Sequence, residues 1–332
     1  MAAELNTSCS NPNSMSSKPE SDKNYLTIIS YNMHGFNQGF STVRDLCLSN
    51  NPDVFLLQEH WLLPCNITKF DQMFPDYFNF GTSAMCKAIE TGVIRGRPFG
   101  GVIVLIKKNS QKYVRTLYSS DRCVIVKIFN KLIINIYLPC SGTMDRLLII
   151  DEILHDIDHY LIDFAGCNII IGGDFNCDLN GDSGTAKIIK DFIDNNKMYR
   201  CDQLRTGTRV NTFVDLTRNC SSCIDYFLSS DIDDELEFSV VDDGSNLSDH
   251  LPIVLQVSCE RDMCRSNCDK SARIISHQSF LRWDHADTSN YYLLTGEKLE
   301  NLLNEFAEFE NVNSNIQNKT NVQLFNVHRL YV

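Results

Sequence analysis

From Tyr25 to about residue 258 the chain alternates short apolar runs with polar stretches. The runs are YLTIISYN (25–32), DVFLLQE (53–59), GVIVLIKK (101–108), CVIVKIF (123–129), LIINIYLP (132–139), CNIIIGGDFN (167–176), IDYFLSS (224–230) and PIVLQV (252–257). Each has strand length and is rich in β-branched residues, which suit a pleated, half-buried surface. Three stretches have helical character: roughly 42–50, 145–164 and 184–197. In the second, Leu147, Ile150, Ile153, Leu154, Ile157 and Leu161 recur as one helical stripe. Many strands, some adjacent in sequence, with few helices predict an α/β sandwich rather than a regular βαβ array. No internal repeat is evident.

The flanks have a different texture. Residues 1–24 are rich in Ser, Asn and Lys and read as a disordered arm. They contain no apolar stretch of the secretory type. After Cys259 a polar linker leads into FLRWDHADTSNYYLLTGEKLENLLNEFAEFEN, a short helical segment with no core of its own, so the domain is expected to end near 258. No run approaches the ~18 apolar residues of a membrane span. Fourteen cysteines without a secretory signal are expected to be reduced thiols in an intracellular protein. Cys220-x-x-Cys223 and the trio Cys259, Cys264, Cys268 offer thiolates for zinc, but the irregular spacing favours free thiols.

Chemically capable side chains sit at the ends of the apolar runs. Asn32 ends the first and Glu59 the second. Tyr137 lies near the end of LIINIYLP, and Asp174 and Asn176 follow Ile169–Ile171. Asp225 opens DYFL, and Asp249–His250 precede the last run. Taken singly, each has a plain explanation: a turn residue, a surface acid, half-buried packing. Taken together, they place carboxylates, amides, a phenol and an imidazole where a rigid sheet meets its loops. Such a set suits phosphoester cleavage. Glu59 and one or two aspartates are hard oxygen ligands for Mg²⁺ or Mn²⁺, which neutralises phosphate and stabilises the leaving oxygen. An aspartate positioned by an asparagine can orient or deprotonate water. An imidazole beside a carboxylate can donate to a phosphoryl oxygen.

The pieces ISYNMHG (29–35), LLQEHW (56–61), GGVIVLI (100–106), INIYLP (134–139), IIGGDFN (170–176), IDYFL (224–228) and LSDHLPI (247–253) occur in one order. Together they resemble the endonuclease/exonuclease/phosphatase family over roughly residues 25–258. The resemblance implies a four-layer α/β sandwich of two packed, mostly antiparallel sheets flanked by helices. It implies Glu59 as principal metal ligand with Asn32 beside it, and Tyr137 against the scissile phosphate. Asp174 would activate or orient the water, with Asn176 holding phosphate and water in place. Asp249 would orient and contact metal, His250 would stabilise the pentacovalent phosphate, and Asp225 would support the histidine. Thr212 falls where the nuclease branch often carries a small hydroxyl residue that meets substrate. QEHWLLP, GGVIVLI with an upstream GRPFG, and NLSDHLPI are similar to the endonuclease domain of non-LTR (LINE-type) retrotransposon polyproteins. The stretch FLRWDHADTSNYYLLTGEKL resembles the connector that follows it there. No Tyr/Phe-x-Asp-Asp motif of a reverse transcriptase follows, so the reading is a fragment or a solitary endonuclease. One departure is Cys223, where many members of the family carry arginine.

The expected activity is therefore a Mg²⁺-dependent (or Mn²⁺-dependent) phosphodiesterase that nicks DNA. A phosphatase of the same fold acting on phosphoinositides or small phosphoesters is one alternative, since fold does not fix substrate. An inactive retrotransposon remnant is another. No obligate protein partner is indicated. A formal charge of -12 argues against a broadly basic surface. Any DNA-binding face must be local, built from Arg95, Arg97, Lys107, Lys108, Arg205 and Arg209, with Arg97 the candidate substrate contact. Among the remaining histidines, His155 and His159 are four apart on a predicted helix and read as a solvated face. His60 is expected to point away from Glu59.

Overall fold

The computed structural model describes residues 25–92, 96–203, 211–215, 217–231, 236–242 and 244–259. The expectations for the N-terminal arm, for the connector after 259, and for Arg95, Arg205 and Arg209 lie outside the described residues. The chain divides into two units, Met1–Cys268 and Asp269–Val332, and only the first contains described residues.

Its strands are β1 (Tyr25–Asn32), β2 (Val54–Gln58), β3 (Tyr77–Thr82), β4 (Val102–Lys107), β5 (Val114–Ser119), β6 (Cys123–Ile128), β7 (Lys131–Tyr137), β8 (Asn168–Asp174), β9 (Tyr199–Arg200), β10 (Phe213–Asp215), β11 (Cys220–Ser222), β12 (Asp225–Ser229), β13 (Glu237–Val240) and β14 (Ile253–Ser258). The helices are α1 (Phe36–Ser49), α2 (Lys69–Met73), α3 (Cys86–Glu90), α4 (Arg146–Asp163) and α5 (Gly184–Asn195). Two six-stranded sheets form, in the orders β13-β14-β1-β2-β4-β3 and β5-β6-β7-β8-β12-β9. Each has a single parallel pair, β1 with β2 and β7 with β8; the other pairs are antiparallel. A small ribbon, β10-β11, stands apart.

Every apolar run of the sequence overlaps one of these strands, because the central strands are covered on both faces. Val54–Gln58 is buried throughout. One face of each sheet packs on the other, with Ile28, Leu56 and Val104 meeting Val126, Ile133 and Phe227. The outer face of the first sheet is covered by Phe36, Val43, Leu46 and Phe70 from α1 and α2. That of the second is covered by Ile150, Leu154 and Ile157 of α4 and Ile189 and Phe192 of α5. This is the expected four-layer sandwich. The edge strands β3, β5 and β13 did not stand out as apolar runs because they are only partly buried. Helix α1 starts at Phe36, six residues before the expected position.

Gly172 and Gly173 lie inside β8 rather than in a turn. A Cβ at Gly172 would meet the Phe227 ring at 2.4 Å and Leu56 Cδ1 at 2.7 Å, and one at Gly173 would fall 1.9 Å from the Ile136 carbonyl oxygen. The glycine pair lets β8 lie close against β7, β12 and the opposing sheet directly before Asp174. Gly173→Ala is therefore expected to lower stability by at least about 2 kcal/mol, since backbone rather than a flexible side chain must yield. Chemical denaturation measures it.

Candidate active site

Register brings the strand ends together. Asn32 pairs with Gln58 across the parallel β1–β2 pair, so Glu59 follows one residue beyond. Tyr137 pairs with Asp174 across β7–β8, and Asp174 pairs with Asp225 across β8–β12. Both sheets thus deliver their polar ends to one end of the sandwich.

The centre is Asp174, whose side chain is fully buried. Asn32 Nδ2 reaches across from the other sheet to its Oδ2 at 2.9 Å, and also to Glu59 Oε1 at 3.2 Å. Asn32 Oδ1 accepts from the His34 backbone N–H, so the amide nitrogen is the atom that faces the two carboxylates. In this structure the Asn32 amide nitrogen orients the Asp174 and Glu59 carboxylates. Asn176 donates its backbone N–H to Asp174 Oδ1 at 2.7 Å. Its amide nitrogen donates to Asp174 Oδ2 and to the Leu138 carbonyl oxygen. Both amide hydrogens are used, and one of them fixes Asp174. Burial pushes the Asp174 carboxyl up to about 7, against the pull of His250.

His250 Nε2 lies 3.9 Å from Asp174 Oδ2, and its Nδ1 lies 3.0 Å from Asp225 Oδ2. Burial favours the neutral ring, but Asp225 and then Asp174 outweigh it and hold the imidazole up at about 10. These three side chains are the one metal-capable group of three found among the described residues. His250 Nδ1 bonds to Asp225, and Nε2 on the other side of the ring faces Asp174. The loop carrying the histidine is tied to β1: Ser248 Oγ donates to the Asn32 carbonyl oxygen and accepts from the His250 N–H. Tyr31 donates from its hydroxyl to Asn246 Oδ1 on the same loop.

Glu59 sits just past β2 with φ 53. Its Oε2 accepts from Trp61 Nε1 at 2.9 Å. The Trp61 ring contacts His34 edge-on, with centroids 4.8 Å apart, and carries the Arg97 guanidinium 4.9 Å from its centroid. His34 Nδ1 lies 2.6 Å from Asp249 Oδ1. That bond raises the His34 pKa. Burial works against ionisation of Asp249, but the His34 bond and the nearby histidines outweigh it and lower its pKa. His34, Glu59, Trp61 and Asn176 all have positive φ, a conformation that costs on the order of 1 kcal/mol or more in a non-glycine residue and collects at functional sites. Tyr137 is close enough to Glu59 that burial first, and Glu59 next, raise its phenol pKa.

Sequence reasoning passed over His34 and Trp61, although both lie inside quoted motifs, NMHG and QEHW. Nothing in the sequence marked Arg122, whose guanidinium lies 5.3 Å from the Tyr137 ring centroid. Not all candidates converge. Lys107 ends β4 beside Val54, at the other end of the sheet from Glu59, where its ammonium binds Asn51. Lys108 follows it, against the Phe78 ring. Both lie away from the strand ends that carry Glu59. His60 is buried against Phe70, accepts from the Leu62 N–H at Nδ1, and is pushed down to about 4 by burial. His155 and His159 lie on the exposed side of α4, as expected. Cys220 is exposed, while Cys223 is buried and pushed up to about 11 by desolvation, an environment for a neutral thiol.

Thr212 is also placed otherwise than expected. It is 1% exposed, and its hydroxyl oxygen accepts the backbone N–H groups of Ile224 and Asp225. It anchors Asp225 from behind and does not face substrate. Thr212→Val should strand two buried N–H donors and destabilise the fold by about 2 kcal/mol. Thr212→Ser should stay close to wild type, as read by urea denaturation.

The family model described as the endonuclease/exonuclease/phosphatase family matches residues 29–250. Among curated proteins, none matches this chain in sequence. Solved structures do. An AP endonuclease from Leishmania major is 16% identical, with TM-score 0.57, covering 71% of this chain and 88% of its own. A 3′ phosphatase from Neisseria, bound to a product DNA hairpin, is 14% identical, with TM-score 0.55 and coverage of 70% and 100%. The endonuclease domain of TRAS1, a telomere-specific non-LTR retrotransposon, is 14% identical, with TM-score 0.53 and coverage of 71% and 99%. At these identities the likeness is one of fold. With the family match over two thirds of the chain and the sandwich whose polar strand ends converge at one end, the protein belongs to the endonuclease/exonuclease/phosphatase family.

Proposed function

We propose that the protein is a divalent-metal-dependent phosphodiesterase that nicks DNA, of the retrotransposon endonuclease type. The observation that carries this reading is the buried Asp174 carboxylate facing His250 Nε2, with Asp225 behind the imidazole. The sequence motifs QEHWLLP and NLSDHLPI support the retrotransposon type. No helix among the described residues is long and apolar enough to cross a membrane.

The donor set fits Mg²⁺ or Mn²⁺. Glu59 and Asp249 are partly exposed carboxylates at the mouth of the site, and oxygen is the ligand these hard cations prefer. When bound there, the ion would neutralise phosphate charge and stabilise the leaving oxygen. Asp174 takes the proton of the attacking water, its orientation set by Asn32 and Asn176. Asp225 holds the imidazole by Nδ1, so Nε2–H points toward Asp174 and donates to a non-bridging phosphoryl oxygen as negative charge builds. Tyr137 lines the approach beside Glu59. His34 keeps Asp249 in place and ionised.

Purified protein incubated with supercoiled plasmid and Mg²⁺ should yield nicked circles, and EDTA should stop the reaction. Asp174→Ala and His250→Ala should each slow nicking on the order of 10² or more. Equal nicking by either variant defeats the assignment. Plasmid without abasic sites should be cut about as readily as plasmid containing them. Release of phosphate from phosphoinositides with DNA left intact establishes the phosphatase alternative, and no hydrolysis of either establishes an inactive remnant.

A further inference from the structure

Beside Glu59 lies an open hollow of about 400 Å³. Its walls include Glu59 and Tyr137 on the inner side, with Trp61 and Arg97 on one flank and Arg122 on another. Both arginines are stacked on aromatic rings, Arg97 on Trp61 and Arg122 on Tyr137, at 4.9 and 5.3 Å. Stacking holds a guanidinium plane while leaving N–H edges free to bind an anion. Arg122 spends one of its donors on the Tyr137 carbonyl oxygen at 3.4 Å. Arg97 is exposed. Each ring is itself placed against the reaction centre: Trp61 donates to Glu59, and the Tyr137 phenol is perturbed by it. Phe99 also lines the hollow and is 57% exposed, as an apolar surface open to a base or sugar.

We propose that this hollow is a second phosphate subsite, which takes the backbone phosphodiester next to the one being cleaved. The inference rests on the reading of Glu59 as part of the reaction centre, and sharpens it by requiring a polynucleotide rather than an isolated phosphoester. Asp121 also lines the hollow, so its formal charge balances until a cation is held at Glu59. Substrate and cation should then support each other's binding. This also places the DNA contact of an acidic protein: two fixed guanidinium groups at the site take the place of a broad basic face.

The test uses a duplex oligonucleotide cut at one mapped position, and a series in which one linkage at a time near the cut is an uncharged methylphosphonate. For the wild type, neutralising one linkage beside the cut should raise KM about tenfold, the scale of a lost charge-assisted hydrogen bond. Arg97→Gln and Arg122→Gln should raise KM on the unmodified duplex by a similar factor, and methylphosphonate at that same linkage should then add nothing. The circular dichroism spectrum and melting temperature check that both variants fold. If the variants and the methylphosphonates raise KM additively at every linkage, the subsite is elsewhere and the inference falls. If both variants match wild type on DNA but lose turnover of inositol bisphosphates, the second phosphate belongs to a different substrate and the inference falls. If wild type cuts no DNA with Mg²⁺, the failure lies with the proposed function.

Discussion

A carboxylate sealed from water is the constraint around which this end of the molecule is arranged. Asp174 ends β8 with no exposed surface, and an ionised group in that position is expensive unless every lone pair finds a donor. The donors come from both sheets. Asn32 arrives from β1 and Asn176 from the residue two places on, while the His250 imidazole, on the loop before β14, faces the carboxylate at 3.9 Å. Meeting the needs of one side chain therefore fixes the spacing of the two sheets at their functional end. Deeper in the same interface, Gln58 Nε2 donates to Asn135 Oδ1 at 2.7 Å, and Asn135 donates to the carbonyl oxygens of Leu57 and Ile103. A polar tie below the site thus helps hold the register that the site depends on.

The second arrangement is at the mouth. Glu59 and Asp249 are both partly exposed, and each is held by a neighbour that is not itself acidic, Trp61 in one case and His34 in the other. The two supports touch one another edge to face. A Cβ on Gly35 would lie 2.6 Å from the Trp61 ring, so the glycine after NMH is required by the tryptophan after QEH. The left-handed backbone at His34, Glu59 and Trp61 is a local cost, offset by packing around it, at the residues that carry and support the two carboxylates.

Charge takes on a different meaning in this setting. The chain's -12 leaves room for local cationic positions beside the site. Arg97 and Arg122 are held against aromatic rings in the hollow beside Glu59. Lys107 and Lys108, which look equally suitable in the sequence, are at the far end of β4. Six residues of strand, at about 3.3 Å each, separate the two ends.

The apolar runs by themselves determined the two sheets, because central strands covered on both faces must be continuously hydrophobic. The ends of those runs also displayed Asn32, Glu59, Tyr137, Asp174, Asp225 and His250, since strand ends are where chemistry can leave a rigid core. The sequence could not show the partially buried edge strands, which carry a weaker pattern. Nor could it show direction. Asn32 and Thr212 were legible as polar residues in the right motifs, but only tertiary contacts turned the Asn32 nitrogen toward Asp174 and closed the Thr212 hydroxyl onto the backbone before β12. Arg122 and Arg97 come to line one hollow because the strands that follow them belong to two sheets that pack together. Local pattern records which face of an element is buried. What each polar atom binds is set by long-range register, and that appears only when the sandwich closes.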